Sequence, residues 1–197
     1  MTRALVAITG ASGGIYGVAL VHRLLAGGVD VDVVMSPTSK LVLKLEHDLT
    51  GDPLGYLTDD EGRAPTMLDV GNLAARPASG SSAPDAMIVC PCSMGTAARI
   101  ATGTSETLIG RAADVMMKER RPLVIVPREA PMSTLHLRTL TTLSELGVHV
   151  VPAMPAFYTR PTSIDDMIAF VVDRAIQSAG LDVPLRHPWT GVPDGDA

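Results

Sequence analysis

Five short apolar runs punctuate the chain: ALVAIT at 4–9, VDVVMS at 31–36, AMIVCP at 86–91, PLVIVP at 122–127 and VHVVPA at 148–153. They are rich in β-branched residues, and most are continuously apolar, the pattern of strands covered on both faces. Between them the period becomes helical, over residues 15–26, 40–47, 94–101, 108–118, 133–146 and 163–179. The third and fourth stretches are separated near Gly103, and Ser163-Ile164-Asp165-Asp166 opens the last as a helix N-terminus. Strand alternating with helix predicts an α/β class and a doubly wound parallel sheet. No repeat and no second core are visible, so one domain is expected over 1–180, followed by a tail at 181–197. Residues 48–85 break the rhythm with Gly, Asp, Pro and Ser, an excursion long enough to be functional or mobile.

Composition narrows the classes. The 197 residues are 46% hydrophobic but only 3% aromatic, so Val, Ile, Leu, Ala and Met must build the core. A net charge of −5 argues against nucleic-acid binding, which needs a basic footprint, yet allows a local cationic pocket for a small anion. No apolar run approaches the roughly 18–20 residues of a membrane span. The first strand-like run begins at Ala4, so no secretory leader is expected. Cys90 and Cys92 stand too close together to staple the fold, which predicts a reduced, cytoplasmic protein.

Open parallel sheets bind ligands beyond the carboxyl ends of their strands, so the residues after each run are the candidates for chemistry. TGASGGIYG at 9–17 follows the first run. A Gly-rich turn at a helix start offers backbone N–H groups to an anion, and Gly10, Gly13 and Gly17 allow close approach. It is neither a P-loop nor a clean G-x-G-x-x-G. The second run ends in Ser36 where an acidic ribose-binding residue would favour NAD, so a mononucleotide such as FMN fits better. The third run leads into Ser93-Met94-Gly95-Thr96, whose hydroxyls suit a phosphate or the edge of a flavin ring. Cys-Pro-Cys has no companion ligands, so no metal site is expected.

Two charges end the fourth run. Arg128 carries a planar fork suited to phosphate, and Glu129 beside it is placed to relay a proton. Arg111, Asp114 and Lys118 fall on one helix face, a spacing that a plain surface ladder would also produce. After the fifth run, Tyr158 lies between Pro155 and Pro161, and Arg174 follows on the last helix, a pair suited to an anionic group with an apolar chain. The histidines at 22, 47, 136, 149 and 187 show neither triad nor metal spacing.

GASGGIYG, PASGSSAPDAMIVCPCSMGT, RAADVMMKERRPLVIVPREAPMS and PAFYTRP, in this order, resemble the UbiX-type flavin prenyltransferases over about residues 4–176. The resemblance implies a Rossmann-like fold in three layers and a homododecamer with sites at subunit interfaces. It implies a metal-independent transfer of dimethylallyl from dimethylallyl monophosphate to N5 and C6 of reduced FMN, giving prenylated FMN for a UbiD-type decarboxylase. By matching motif, Gly10, Ala11, Ser12, Ser36, Ser93, Met94, Gly95, Thr96 and Arg128 would hold FMN. Ala78, Ser79 and Gly80 would line the prenyl pocket. Lys118, Tyr158 and Arg174, with Arg111 nearby, would hold the substrate phosphate. Glu129, Ser12 and Glu46 would handle protons.

The sequence departs from that pattern twice. Ser105-Glu106-Thr107-Leu108 replaces an Asp/Asn-Asn-Leu stretch, and Trp189 stands in Arg186-His187-Pro188-Trp189 instead of directly after Arg. Two other functions share the expected fold. A flavin-dependent cysteine decarboxylase usually carries Pro-Ala-Ser-Ala-Asn-Thr, where this chain has Pro-Ala-Ser-Gly-Ser-Ser without the Asn. A non-catalytic flavin carrier would need FMN but not Lys118, Tyr158, Arg174 and Glu129 together.

Overall fold

Parallel pairing joins all six strands into one sheet. They are β1 (Arg3–Ile8), β2 (Asp30–Met35), β3 (Thr66–Leu68), β4 (Ala86–Cys92), β5 (Leu123–Pro127) and β6 (His149–Val150), in the order β3-β2-β1-β4-β5-β6. The structure, a computed structural model, describes residues 2–186. His187 and Trp189 lie outside the described residues. The helices are α1 (Gly14–Ala26), α2 (Pro37–His47), α3 (Leu54–Leu57), α4 (Met94–Ala101), α5 (Leu108–Lys118), α6 (Thr134–Glu145) and α7 (Ile164–Ser178). None is long and apolar enough to cross a membrane among the described residues.

Alternation along each strand divides the apolar side chains between two cores. Ala4, Val6 and Ile8 of β1 face one core, with α1, α7, Leu43 of α2 and Leu57 of α3; Leu5 and Ala7 face the other, with α4, α5 and Leu143 of α6. Helices therefore cover both faces, giving three layers. Cys90 and Cys92, which strict alternation would place together, fall in opposite cores because the pairing with β5 shifts register between Val89 and Cys92.

The expected five strands become six. β3 is a three-residue edge strand inside the 48–85 excursion, pairing Asp32↔Thr66, Val33↔Met67 and Val34↔Leu68. The fifth run pairs with β5 only at His149–Val150, although Val151 N–H and Ala153 N–H still donate to the Ile125 and Pro127 carbonyls at 2.9 and 3.0 Å. Pro152 is tolerated there because β6 is an edge. The first residues beyond 180 pack onto the domain. Leu181 and Val183 are buried, Arg23 donates to the Pro184 carbonyl at 2.6 Å, and the Arg186 N–H donates to Asp173 at 2.6 Å.

Two charged contacts fix segments that reach the ligand-binding side. Asp32, on β2, is fully buried on the second-core face, and Arg76 donates to both its oxygens at 3.0 and 3.2 Å. Arg76 opens the tight turn Arg76–Ala78, so this pair sets where Ala78, Ser79 and Gly80 begin. Glu46, on the last turn of α2, accepts from Gly13 N–H at 2.8 Å and caps α1, whose own N-cap residue, Gly13, supplies no side chain. Burial pushes the Glu46 pKa up, but the Ser12 hydroxyl, the Gly13 and Gly14 N–H groups and His47 outweigh it and hold the carboxyl below its ordinary 4.5.

Arg76→Met leaves the Asp32 carboxylate without its cation. Because Arg76 remains half in water, the cost is expected to be about 2–3 kcal/mol, at or below the low end for breaking a buried pair. An unchanged urea midpoint would remove the pair from the folding account. A lowered carboxylate pKa gives stability that is present above 4.5 and is lost as pH falls through the folded value. Melting of wild type and Glu46→Gln from pH 7 to pH 3 should show wild type the more stable at neutral pH, with the gap closing below 4.5.

Candidate active site

Strand order reverses between β1 and β4, and the crevice opens beyond their carboxyl ends. Thr9 stitches the two ends together. Its N–H and hydroxyl both donate to the Pro91 carbonyl, at 3.2 and 2.8 Å, and its oxygen accepts from Ser93 N–H at 2.8 Å. This fully buried threonine is missing from the sequence-based site. Its hydroxyl fixes the Gly10 turn against the Ser93 turn.

The Gly-rich turn then enters α1. Gly13 has φ +91°, a left-handed conformation open to glycine. A Cβ on Gly17 would sit 2.5 Å from the Cys90 carbonyl, so glycine there lets α1 lie against β4. Arg128, leaving β5, donates from Nε to the Ser12 carbonyl at 3.0 Å and pins the turn from the other side. Ser36 caps α2 and Ser93 caps α4, accepting from the N–H groups of Ser39 and Thr96 at 3.2 and 3.3 Å. Gly10, Ser36, Ser93 and Thr96 line one cavity of about 390 Å³, a size typical of small-molecule sites. Ala11 and Met94 are buried beneath the rim and Gly95 is exposed on it. Four of the nine expected flavin residues therefore line this cavity, while Ser12 and Arg128 belong to the adjoining Gly-rich turn. Together they offer helix N-termini, hydroxyls and an arginine, a donor set that fits the phosphate and ribityl chain of FMN.

Two of the three proton-handling candidates meet at the Gly-rich turn. Ser12 and Glu46 are hydrogen-bonded, and Glu46 is held ionised, as an acceptor. Glu129 follows Arg128, half-buried, with its Oε1 accepting from the Ala130 N–H at 3.1 Å. Sequence reasoning overlooked Tyr16, whose ring packs 3.0 Å from where a Gly13 Cβ would be. Burial, with Cys90, raises its hydroxyl pKa above 10, against the opposing charge of Arg128. It also overlooked Arg99 as a lining residue; Glu106 and Thr107, noted as departures from the family pattern, line the same cavity. Burial keeps both thiols protonated, Cys92 being pushed up to about 12 despite the Ala97 N–H and Arg99. Among the described residues no cluster of His, Cys, Asp and Glu could hold a metal.

The expected substrate set divides in two. Arg111 Nε donates to the Ala78 carbonyl at 3.1 Å, and a Cβ on Gly80 would collide with the Glu119 carboxylate and come within 3.1 Å of Lys118 Nζ. Ala78, Ser79, Gly80, Arg111 and Lys118 thus form one neighbourhood on the α5 layer. Arg111 pairs with Asp114 at 3.2 Å, and Lys118 pairs with Glu119 at 2.8 Å. Tyr158 stacks edge-on to Phe170 of α7, with centroids 5.9 Å apart, and Arg174 lies one turn further along α7, donating to Gln177 at 2.6 Å. α5 and α7 cover opposite faces of the sheet. Within one chain, no single phosphate can touch both neighbourhoods.

Comparison with known proteins identifies the family and the fold. Residues 1–176 match the family described as Flavoprotein. The flavin prenyltransferase UbiX of Pseudomonas aeruginosa is 44% identical over 195 residues, covering 95% of this chain and 93% of its own. A dodecameric FMN-dependent UbiX-like decarboxylase from Escherichia coli O157:H7 superposes with a TM-score of 0.87 at 41% identity, over 96% of this chain and 100% of that one. AnUbiX (PadA1), solved in complex with FMN and dimethylallyl pyrophosphate, gives 0.89 at 38% identity, over 97% and 98%. With its switch-point crevice, three-layer sheet and near full-length identity, this chain belongs to the UbiX flavin prenyltransferase family.

Proposed function

We infer that the chain is a flavin prenyltransferase that joins dimethylallyl, from dimethylallyl monophosphate, to N5 and C6 of reduced FMN. The observation that carries this reading is the hydroxyl- and arginine-lined crevice at the β1–β4 switch point, in a chain of this family. The cysteine decarboxylase and carrier alternatives are not favoured, since the relatives at 38–44% identity include flavin prenyltransferases.

Reduced FMN supplies two electron-rich positions, N5 and C6. The chain's residues do the rest. Gly10, Ala11, Ser12, Ser36, the Ser93–Thr96 turn and Arg128 bind and orient the flavin. Lys118, Tyr158, Arg174 and Arg111 hold the donor phosphate and take up charge as the allylic C–O bond breaks and phosphate leaves. Ala78, Ser79 and Gly80 carry little bulk, so the prenyl chain can lie against the flavin while water is kept out. The bond to N5 would replace the broken C–O bond with release of the N5 proton; the remaining alkene would then take up a proton as its tertiary carbon joins C6, which gives up its own proton. Glu129 receives that proton, directly or through the departing phosphate. Glu46, held as a carboxylate, orients the Ser12 hydroxyl.

The phosphate set is assembled from more than one subunit. What supports this is the separation of Lys118 and Arg111 from Tyr158 and Arg174 by the sheet, together with the dodecameric form of the E. coli relative. A homododecamer with sites at its interfaces satisfies both. The product, prenylated FMN, is the cofactor of a UbiD-type decarboxylase, the partner that receives it. The protein works in the cytoplasm, where its two buried thiols stay reduced.

Anaerobic incubation with reduced FMN and dimethylallyl monophosphate, followed by mass spectrometry of the extracted flavin, should give prenylated FMN without added metal. FMN recovered unchanged under these conditions overturns the function. In the same assay Glu129→Gln should keep bound flavin but slow product formation by about 10²–10⁴-fold, the usual contribution of a positioned acid–base group. Arg174→Ala should raise the KM for the prenyl donor roughly ten- to hundredfold, as expected for a lost charge-assisted bond, and spare FMN binding. Equal loss of both ligands would make Arg174 a structural residue.

A further inference from the structure

Arg99 lies in the second turn of α4, beyond the Ser93–Thr96 stretch assigned to FMN. Side chains of a helix lean toward its N-terminus, so an arginine here can reach back to the helix start. Arg99 does so. Its Nη2 donates to Thr96 Oγ1 at 3.3 Å, and it lines the same cavity as Gly10, Ser36, Ser93 and Thr96. Its backbone stands in the last turn of α4, where the dipole favours a cation, while its exposed side chain carries the charge back toward the helix start. Among the described residues no carboxylate oxygen lies within 4.0 Å of its guanidinium, so the fork is open to an anion.

The local hydrogen bonds point the same way. Thr96 Oγ1 accepts from Ser93 Oγ at 3.0 Å as well as from Arg99, so the proton of Thr96 is left to donate elsewhere. Arg99 commits one nitrogen to Thr96 and keeps further N–H groups of its fork. A helix N-terminus, a hydroxyl with a spare proton and an unmatched guanidinium thus meet at one end of the cavity. Glu106 lines the cavity from the loop entering α5 and disfavours an anion on its own side. The other arginine of the FMN set, Arg128, is tied through Nε to the Ser12 carbonyl.

We infer that Arg99 grips the 5′-phosphate of FMN and makes the crevice select FMN over riboflavin. The inference rests on the FMN reading above and adds a residue to it. FMN and riboflavin differ only in the phosphate, so the ratio of their affinities isolates the contact.

The test is titration of the full-length protein with oxidised FMN and with riboflavin, followed by flavin fluorescence, without prenyl donor. Arg99→Ala should weaken FMN roughly ten- to hundredfold, while riboflavin stays within about twofold. Arg99→Lys should fall between, because it restores the charge without the fork. FMN binding by wild type should weaken with added salt more steeply than binding by Arg99→Ala. Equal loss of both flavins in Arg99→Ala would mean that Arg99 shapes the crevice, and an unchanged FMN affinity would place the phosphate elsewhere; either overturns the inference alone. Failure of wild type to bind either flavin would overturn the FMN reading together with it.

Discussion

The site depends on one buried hydroxyl. At the switch point, chain leaves β1 in one direction and β4 in the other, and the pairing between the two strands ends with the Thr9 N–H on the Pro91 carbonyl. The Thr9 hydroxyl extends that tie, donating to the same carbonyl and accepting from Ser93 N–H. Without it the Ser93 N–H would lose this acceptor, and an unpaired buried polar group costs about 1–3 kcal/mol. The contact serves packing and geometry at once. It satisfies the ends of two strands and fixes the distance between the two helix N-termini that would embrace a phosphate-bearing ligand. Around it, Glu46 and Arg128 hold the Gly-rich turn from two further elements. The rim is rigid because each loop is bonded to a different strand or helix, not because any loop is stiff by itself.

That architecture also limits what one chain can do. A three-layer sandwich puts its helices on opposite sides of a sheet that no small ligand crosses. Charged groups on α5 and α7 can share an anion only if another copy turns one of its faces toward the crevice. The exposed apolar residues on the second half of the chain fit such contacts: Leu135 and Leu137 on α6, Met154 and Phe157 before α7, and Ile164 at its start. α6 buries just Leu143 fully among its twelve residues, little for a helix that must be held on a sheet.

Much of this was legible in the pattern of residues, for identifiable reasons. The helices at 94–101 and 108–118 match the structure to the residue, because Ser93 and Thr107 cap their starts and Gly103, at φ +68°, follows the end of the first helix. α2 starts three residues earlier than its periodicity suggests. Ser36 followed by Pro37 is an N-cap and N1 pair, a signal that outweighs the missing apolar face. β3 was invisible: three residues carry no period, and only the neighbouring β2 edge makes them a strand. At the site, glycine and hydroxyl motifs stood out because composition marks them. Thr9, Tyr16 and Arg99 did not, because their importance comes from what the fold brings beside them. The buried Asp32 interrupts an apolar strand, and its meaning depends on Arg76, 44 residues away.

The charges at the end of β5 show how a buried strand can deliver charged groups to a rim. Every residue from Leu123 to Pro127 is covered, so a charge inside that run would pay full desolvation. One step beyond, at the rim, hydration returns. Successive side chains of an extended chain point to opposite sides. Arg128 and Glu129, although adjacent and of opposite sign, therefore have different neighbours: Arg128 reaches the Ser12 carbonyl, while Glu129 turns back to the Ala130 N–H. A mutual ion pair would have neutralised both. Their separation instead leaves a cation against the Gly-rich turn and a carboxylate one residue further along the rim.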